Sequence, residues 1–235
     1  MNIVKKTSPN FNARKSDVID MLVLHYTDLK TVNESLDILT SAKNEVSAHY
    51  LIDEDGTVYQ MVDEGHRAWH AGKSYWRGIT DINSHSIGIE IQNPGHSNGY
   101  TPFPTPQMDS VLEICTAIIK RHPTISAQNI VAHSDIAPDR KSDPGELFNW
   151  HLLAENGIGK WPKLPKNLEN GFGDNINNQG LYKDLIAYGY NPDIDLETLT
   201  RAFQRHFEPD VFETDQAGIP TPKTHALLQQ LLNTR

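Results

Sequence analysis

The chain of 235 residues is longer than one average domain and shorter than two, which predicts one larger domain with a small companion. Its 30 acidic residues against 21 basic ones leave a net charge of −9, the wrong sign for the counterion-releasing surface of a nucleic-acid binder. A single cysteine, Cys115, excludes an internal disulfide and a thiolate zinc cluster; 37% hydrophobic residues suffice for a core, and none of the apolar stretches is long enough for a transmembrane segment.

The opening segment MNIVKKTSPNFNARKS has lysines but no apolar stretch behind them, so no signal peptide is read there. The run Met21-Leu22-Val23-Leu24-His25-Tyr26 predicts a strand covered on both faces. Thr31 and Glu34 have the spacing of a capping box, with Leu36 and Leu39 beginning an apolar stripe behind it. Residues 49–52 and 57–62 flank Asp53-Glu54-Asp55-Gly56 and predict a hairpin. A further strand is predicted over 86–92. Thr105-Pro106 fits an N-cap followed by a first helical position, and Met108, Val111, Leu112, Cys115, Ile118 and Ile119 continue at helical spacing. Residues 129–134 predict a strand and 147–155 a short helix. This mixture predicts an α/β fold, a central mixed β-sheet flanked by helices.

Gly157, Gly159, Pro162, Pro165, Gly171 and Gly173 punctuate a stretch poor in periodic apolar residues. We therefore divide the chain into a larger domain over 1–160, a linker over 161–174 and a C-terminal three-helix domain over 175–235. Its helices are expected near 181–188, 196–207 and 224–232. About 60 residues make a thin core, so the tail is expected to dock partly on the larger domain.

Eleven histidines invite a chemical reading, because neutral imidazole is a common metal ligand. His25 and His133 are polar breaks at the carboxyl ends of apolar strands, where α/β sheets place ligands. The loop Asp139-Arg140-Lys141-Ser142-Asp143-Pro144-Gly145 can add a carboxylate. Two imidazoles and a carboxylate, with a fourth position left for water, form the ligand set of a catalytic zinc site. In the strand 86–92 a period of two puts Ile87, Ile89 and Ile91 on one face and Gly88, Glu90 and Gln92 on the other. A glutamate there is costly unless paired or functional, and it suits a general base. If Asp143 is the ligand, Lys141 points to the same side and can neutralise an oxyanion. His66 and His70 stand four apart, but the glycines around them and Arg67 between them argue against a helical metal motif. Trp69, Tyr75 and Trp76 around His70 read as the wall of a groove, and His49 and His85 as either supporting donors or simply satisfied polar groups.

The segments VLHYT (23–27), SAHYLIDEDGTVYQMV (47–62), AWHAG (68–72), SHSIGIEIQN (84–93) and VAHSDIAPDRKSDPG (131–145) resemble the zinc-dependent N-acetylmuramoyl-L-alanine amidases, in particular the AmiD-type branch with an extra C-terminal domain. The resemblance implies a peptidoglycan-recognition-protein-like fold and cleavage of the bond between N-acetylmuramic acid and L-alanine in ordinary or anhydro muropeptides. It implies one Zn2+ per chain held by His25, His133 and Asp143, with Glu90 and Lys141 catalytic. His49, Trp69, His70 and Tyr75 are the further expected substrate contacts. Segments LIAYGY (185–190) and TLTRAFQRHF (198–207) resemble a three-helix peptidoglycan-binding module. The implied partners are peptidoglycan and muropeptides, with no nucleic acid, no transmembrane segment and a monomeric chain. The implied place is the periplasm or outer membrane, on a chain whose leader is absent, with the cytoplasm as the alternative.

Overall fold

The computed structural model describes residues 3–163 and 177–234. Most of the expected linker, 164–174, lies outside the described residues. Among the described residues a six-stranded mixed sheet runs β1 (Ile3–Lys5), β5 (Val58–Gln60), β4 (Tyr50–Ile52), β7 (Ser86–Ile91), β3 (Met21–Tyr26) and β8 (Ile130–Ala132). Strands β7, β3 and β8 are parallel neighbours, β4 joins β7 in parallel, and β4 with β5 forms the antiparallel hairpin. Gly56 has φ +87° in its loop, where a side chain is strained. Two short strands, β2 (Phe11–Ala13) and β6 (His66–Ala68), pair separately.

Alternation along the strands gives the sheet two distinct faces. Leu22 and Leu24, Ile87, Ile89 and Ile91, and Ile130 and Ala132 share one face. It is closed by α4 (Thr105–Arg121), through Met108, Val111, Ile114, Cys115 and Ile118, and by α6 (Trp150–Glu155). The helix α4 begins one residue earlier than expected, with Pro104 in extended conformation just before it. On the other face, α1 (Val32–Leu39) lays Leu36 and Leu39 over Leu51 and Met61. The predicted capping box holds α1: the Glu34 amide donates to Thr31 Oγ1 at 3.3 Å and the Thr31 amide to Glu34 Oε2 at 3.2 Å.

Met21, Val23 and Val131 also face this second side, where the C-terminal helices α7 (Asn178–Tyr188), α8 (Leu196–Phe207) and α9 (Pro222–Asn233) cover them. The helical stripes Leu181 and Leu185, Leu199 and Phe203, and Leu227, Leu228 and Leu231 merge with Met21, Val23, Ala71 and Ile136 into one continuous core. The tail is therefore docked. Trp76, expected on a groove wall, is 1% exposed and meets Tyr188 and Tyr190 edge-on, because this junction is where a large apolar ring gains most by burial.

Candidate metal and catalytic site

Strand register assembles the site. His25 and Glu90 are direct partners across β3 and β7, and Leu24 pairs with Ala132, which sets His25 and His133 side by side at the end of β8. All three residues have the parity of Val23, so they project from the face that the tail shares. His133 begins a short helix, α5 (His133–Ile136). The Ser134 amide donates to the Asp143 carbonyl at 3.0 Å, bringing the Asp143 loop alongside.

Among the described residues, His25, His133 and Asp143 form the one group of three placed to hold a metal ion. His25 Nδ1 and His133 Nδ1 are 2.9 Å apart, and each lies 3.0 Å from Asp143 Oδ2. A tetrahedral zinc ion with bonds of about 2.0–2.1 Å has ligand–ligand edges of roughly 3.3 Å, so this triangle fits one with its edges slightly closed. The donor set fits as well: two nitrogens, one carboxylate oxygen and an open fourth side.

The far nitrogens explain which atoms point inward. His133 Nε2 donates to the Ala71 carbonyl at 3.2 Å, leaving Nδ1 with its lone pair. His25 Nε2 donates to His70 Nδ1 at 3.0 Å, His70 Nε2 donates to Ser86 Oγ at 3.1 Å, and the Ser86 hydroxyl donates to the Ile82 carbonyl at 2.7 Å. Asn83 Oδ1 receives the amides of His70 and Ala71, fixing that loop. A Cβ on residue 88 would run into the His70 ring, so Gly88 makes room for the relay.

Burial, then the neighbouring His133, pushes His25 down to about 4, so it is a neutral donor at neutral pH. Burial also raises the Asp143 carboxyl, but the close approach of His133 first, and of His25, outweighs it and holds the group well below the usual range. Glu90 moves the other way. Burial first and Asp143 second lift it well above an ordinary glutamate, against the opposing pull of Lys141. Its Oε2 is buried without a hydrogen-bond partner, as expected of a group that acts on something bound beside it.

A cavity of about 310 Å³ opens over these groups, lined by Glu90, His133, Lys141, Asp143, His70 and Trp69 among others. His49 and Tyr75 do not line it. His49 is fully buried, taking the Gly88 amide on Nδ1 at 2.9 Å with its ring edge toward His70. Tyr75 borders a neighbouring cavity with Ile136 and Asn191, since the chain turns away after Gly72. Residues missed by sequence reasoning complete the rim: Tyr26, Asp28, Val46, Arg140 and Ser142. Arg140 clamps the Ala71 and Lys73 carbonyls, a role that a charged loop residue does not announce. His66 is exposed against Phe11 and takes no part.

A family model described as N-acetylmuramoyl-L-alanine amidase matches residues 14–146. The chain is 36% identical to the N-acetylmuramoyl-L-alanine amidase AmiD of Escherichia coli strain K12, over 91% of this chain and 82% of that one. The solved complex of E. coli AmiD with anhydro-N-acetylmuramic acid-L-Ala-D-gamma-Glu-L-Lys superposes with a TM-score of 0.81 at 34% identity, covering 94% of this chain and 92% of that one. AMPDH3 of Pseudomonas aeruginosa superposes at 0.79 with 32% identity, covering 96% and 93%. By its matched family model and by its identity to AmiD over most of its length, the chain belongs to the N-acetylmuramoyl-L-alanine amidase family.

Proposed function

We propose that this amidase is zinc-dependent and cleaves muropeptides, including those ending in anhydro-muramic acid, with His25, His133 and Asp143 as the ligands. The observation that carries the reading is the triangle of three inward-facing donor atoms below a cavity that also receives Glu90 and Lys141. The relatives support the substrate class: the AmiD complex holds an anhydro-muropeptide.

A zinc ion at this site would lower the pKa of a bound water and polarise the scissile carbonyl. Glu90 takes the proton of the attacking water and returns one to the departing L-alanine nitrogen. Its partnerless Oε2 and its elevated proton affinity suit that exchange. Lys141 donates to the carbonyl oxygen as it gains charge, a contribution of about 3 kcal/mol for one such donor. His70, rather than touching substrate first, orients His25 through Nδ1. Trp69 offers an aromatic wall at the rim, suited to the apolar face of a sugar. His49 and Tyr75 are left without a substrate contact.

The proposed site needs no residue from a second copy of the chain. Among the described residues no helix is long and apolar enough to cross a membrane. We place the enzyme in the envelope, a proposal that fractionation of cells checks. The tail, by its resemblance to wall-binding modules, predicts co-sedimentation of the chain with insoluble sacculi.

Digestion of sacculi and of purified anhydro-muropeptides, with products weighed by mass spectrometry, tests the reading. Free, intact stem peptides are expected from both. Shortened peptides still attached to sugar would mean a peptidase instead, since the same metal and base hydrolyse any suitably placed amide.

A further inference from the structure

The helix α8 carries LETLTRAFQRHF, and its period buries Leu199, Ala202, Phe203 and Phe207 in the shared core. Arg205 and His206 stand next to each other at its end, and each reaches a different ligand-bearing segment of the catalytic part. His206 is 3% exposed and its Nδ1 donates to Asp135 Oδ2 at 2.7 Å. Asp135 follows the ligand His133 by two residues and is 1% exposed. Its other oxygen receives the hydroxyl of Tyr190, also from the tail, at 2.7 Å, while Oδ2 accepts the Ala132 amide at 2.8 Å. The imidazole also stacks on Trp150 of α6, with ring centres 3.8 Å apart and planes 23° from parallel.

The second line starts at Arg205. Its Nε donates to Glu146 Oε2 at 3.2 Å, three residues beyond the ligand Asp143. Glu146 Oε1 accepts His96 Nε2 at 3.0 Å, His96 Nδ1 receives the Tyr26 hydroxyl at 2.7 Å, and the Tyr26 oxygen lies 3.0 Å from Ser142 Oγ. Tyr26 and Ser142 are the immediate chain neighbours of the ligands His25 and Asp143. Two adjacent tail residues thus brace both loops whose spacing defines the donor triangle. A buried carboxylate such as Asp135 is strongly unfavourable when its partner is lost, so the brace is tied to correct docking of the tail.

We propose that Arg205 and His206 are positioning residues of the metal centre: by holding Glu146 and Asp135 they set the placement of Asp143 and His133, and so make the C-terminal helices part of the catalytic unit. The proposal rests on the reading of His25, His133 and Asp143 as metal ligands. Direct hydrogen-bond partners of metal ligands commonly change metal affinity by about 10- to 100-fold when lost; Arg205 and His206 act one link further out, through Glu146 and Asp135.

The test measures zinc affinity of the full chain by competition with a chromogenic chelator, alongside the melting temperature of the metal-free protein. His206→Leu is expected to weaken zinc binding by up to roughly tenfold, the low end of the range for direct partners of ligands. His206→Asn, which keeps a donor at the place of Nδ1, is expected to restore most of that loss. Arg205→Met is expected to weaken binding by a smaller factor; its side chain is partly exposed, so it carries the test if His206→Leu fails to fold. Unchanged zinc affinity in the folded variants overturns the proposal. So does a loss that Asn does not restore and that only follows the melting temperature. A wild-type chain that takes up no zinc overturns the metal reading itself, a different failure.

Discussion

The two faces of the central sheet are built from the same strands and do different work. One face is dry: Leu22, Leu24, Ile87, Ile89 and Ile91 meet the stripe of α4, and 0% of each side chain reaches solvent. The other begins in the same way, with Met21 and Val23 under the tail, and ends in His25, Glu90 and His133. Moving along one strand by two residues therefore passes from packing to chemistry without changing face. The difference teaches where tolerance lies. On the proposed mechanism, substitutions on the dry face tax stability alone, those at the strand ends of the other face act on the reaction, and its middle couples the two through the docked tail.

Four predictions break or sharpen this contrast. The largest effect is expected of Glu90→Gln, which keeps shape and volume but cannot accept a proton; kcat falls by about 10²- to 10⁴-fold while zinc content stays unchanged. Near-normal kcat in that variant would move the base elsewhere. Lys141→Ala comes next, with a loss of about a hundredfold in kcat and little change in melting temperature. An effect confined to KM would make Lys141 a binding group instead.

The third concerns acid. His49 is held down to about 3, first by burial and then by the charge of Arg14, whereas in the unfolded chain a histidine titrates near 6.5. Below 6.5 the unfolded state binds the extra proton, so stability falls with pH across the window down to about 3, by about 1.4 kcal/mol per pH unit for this group. His25 and His70 are lowered in the same direction, mainly by burial, against the raised carboxyls of Glu90 and Glu208, which work the other way. Urea unfolding of the metal-free protein should give a lower midpoint at pH 5 than at pH 7; equal midpoints would contradict the balance. The smallest effect belongs to the dry face. Ile114→Val on α4 should cost about 1 kcal/mol by thermal unfolding and leave kcat untouched. A change in kcat would mean that the two faces are mechanically coupled.

The chain displayed its dry face openly, because a parallel strand buried on both sides must be a nearly unbroken apolar run, as Met21 to Leu24 is. The polar breaks in those runs exposed His25, Glu90 and His133 for the same reason. The three-residue strands β1, β2 and β6 left no such trace: residues 3–5 and 11–13 are exposed at sheet edges and need no pattern. His70 was legible as a residue of the site but not its bond to His25, and Trp76 was legible as an unusual residue but not in place. Their positions depend on loops closing over the sheet, with Gly88 clearing space for one and the tail burying the other. Docking of the tail followed from its small size, while the face it covers, and the reach of Arg205 and His206, required the assembled chain.

The central claim is that His25, His133 and Asp143 hold the ion on which hydrolysis depends. Metal content of the purified wild-type chain and of His133→Ala, after dialysis against a weak chelator, tests it most directly. The account predicts about one zinc per wild-type chain and none in the folded variant, with hydrolysis lost alongside it. Zinc retained at the same stoichiometry in His133→Ala would contradict the claim.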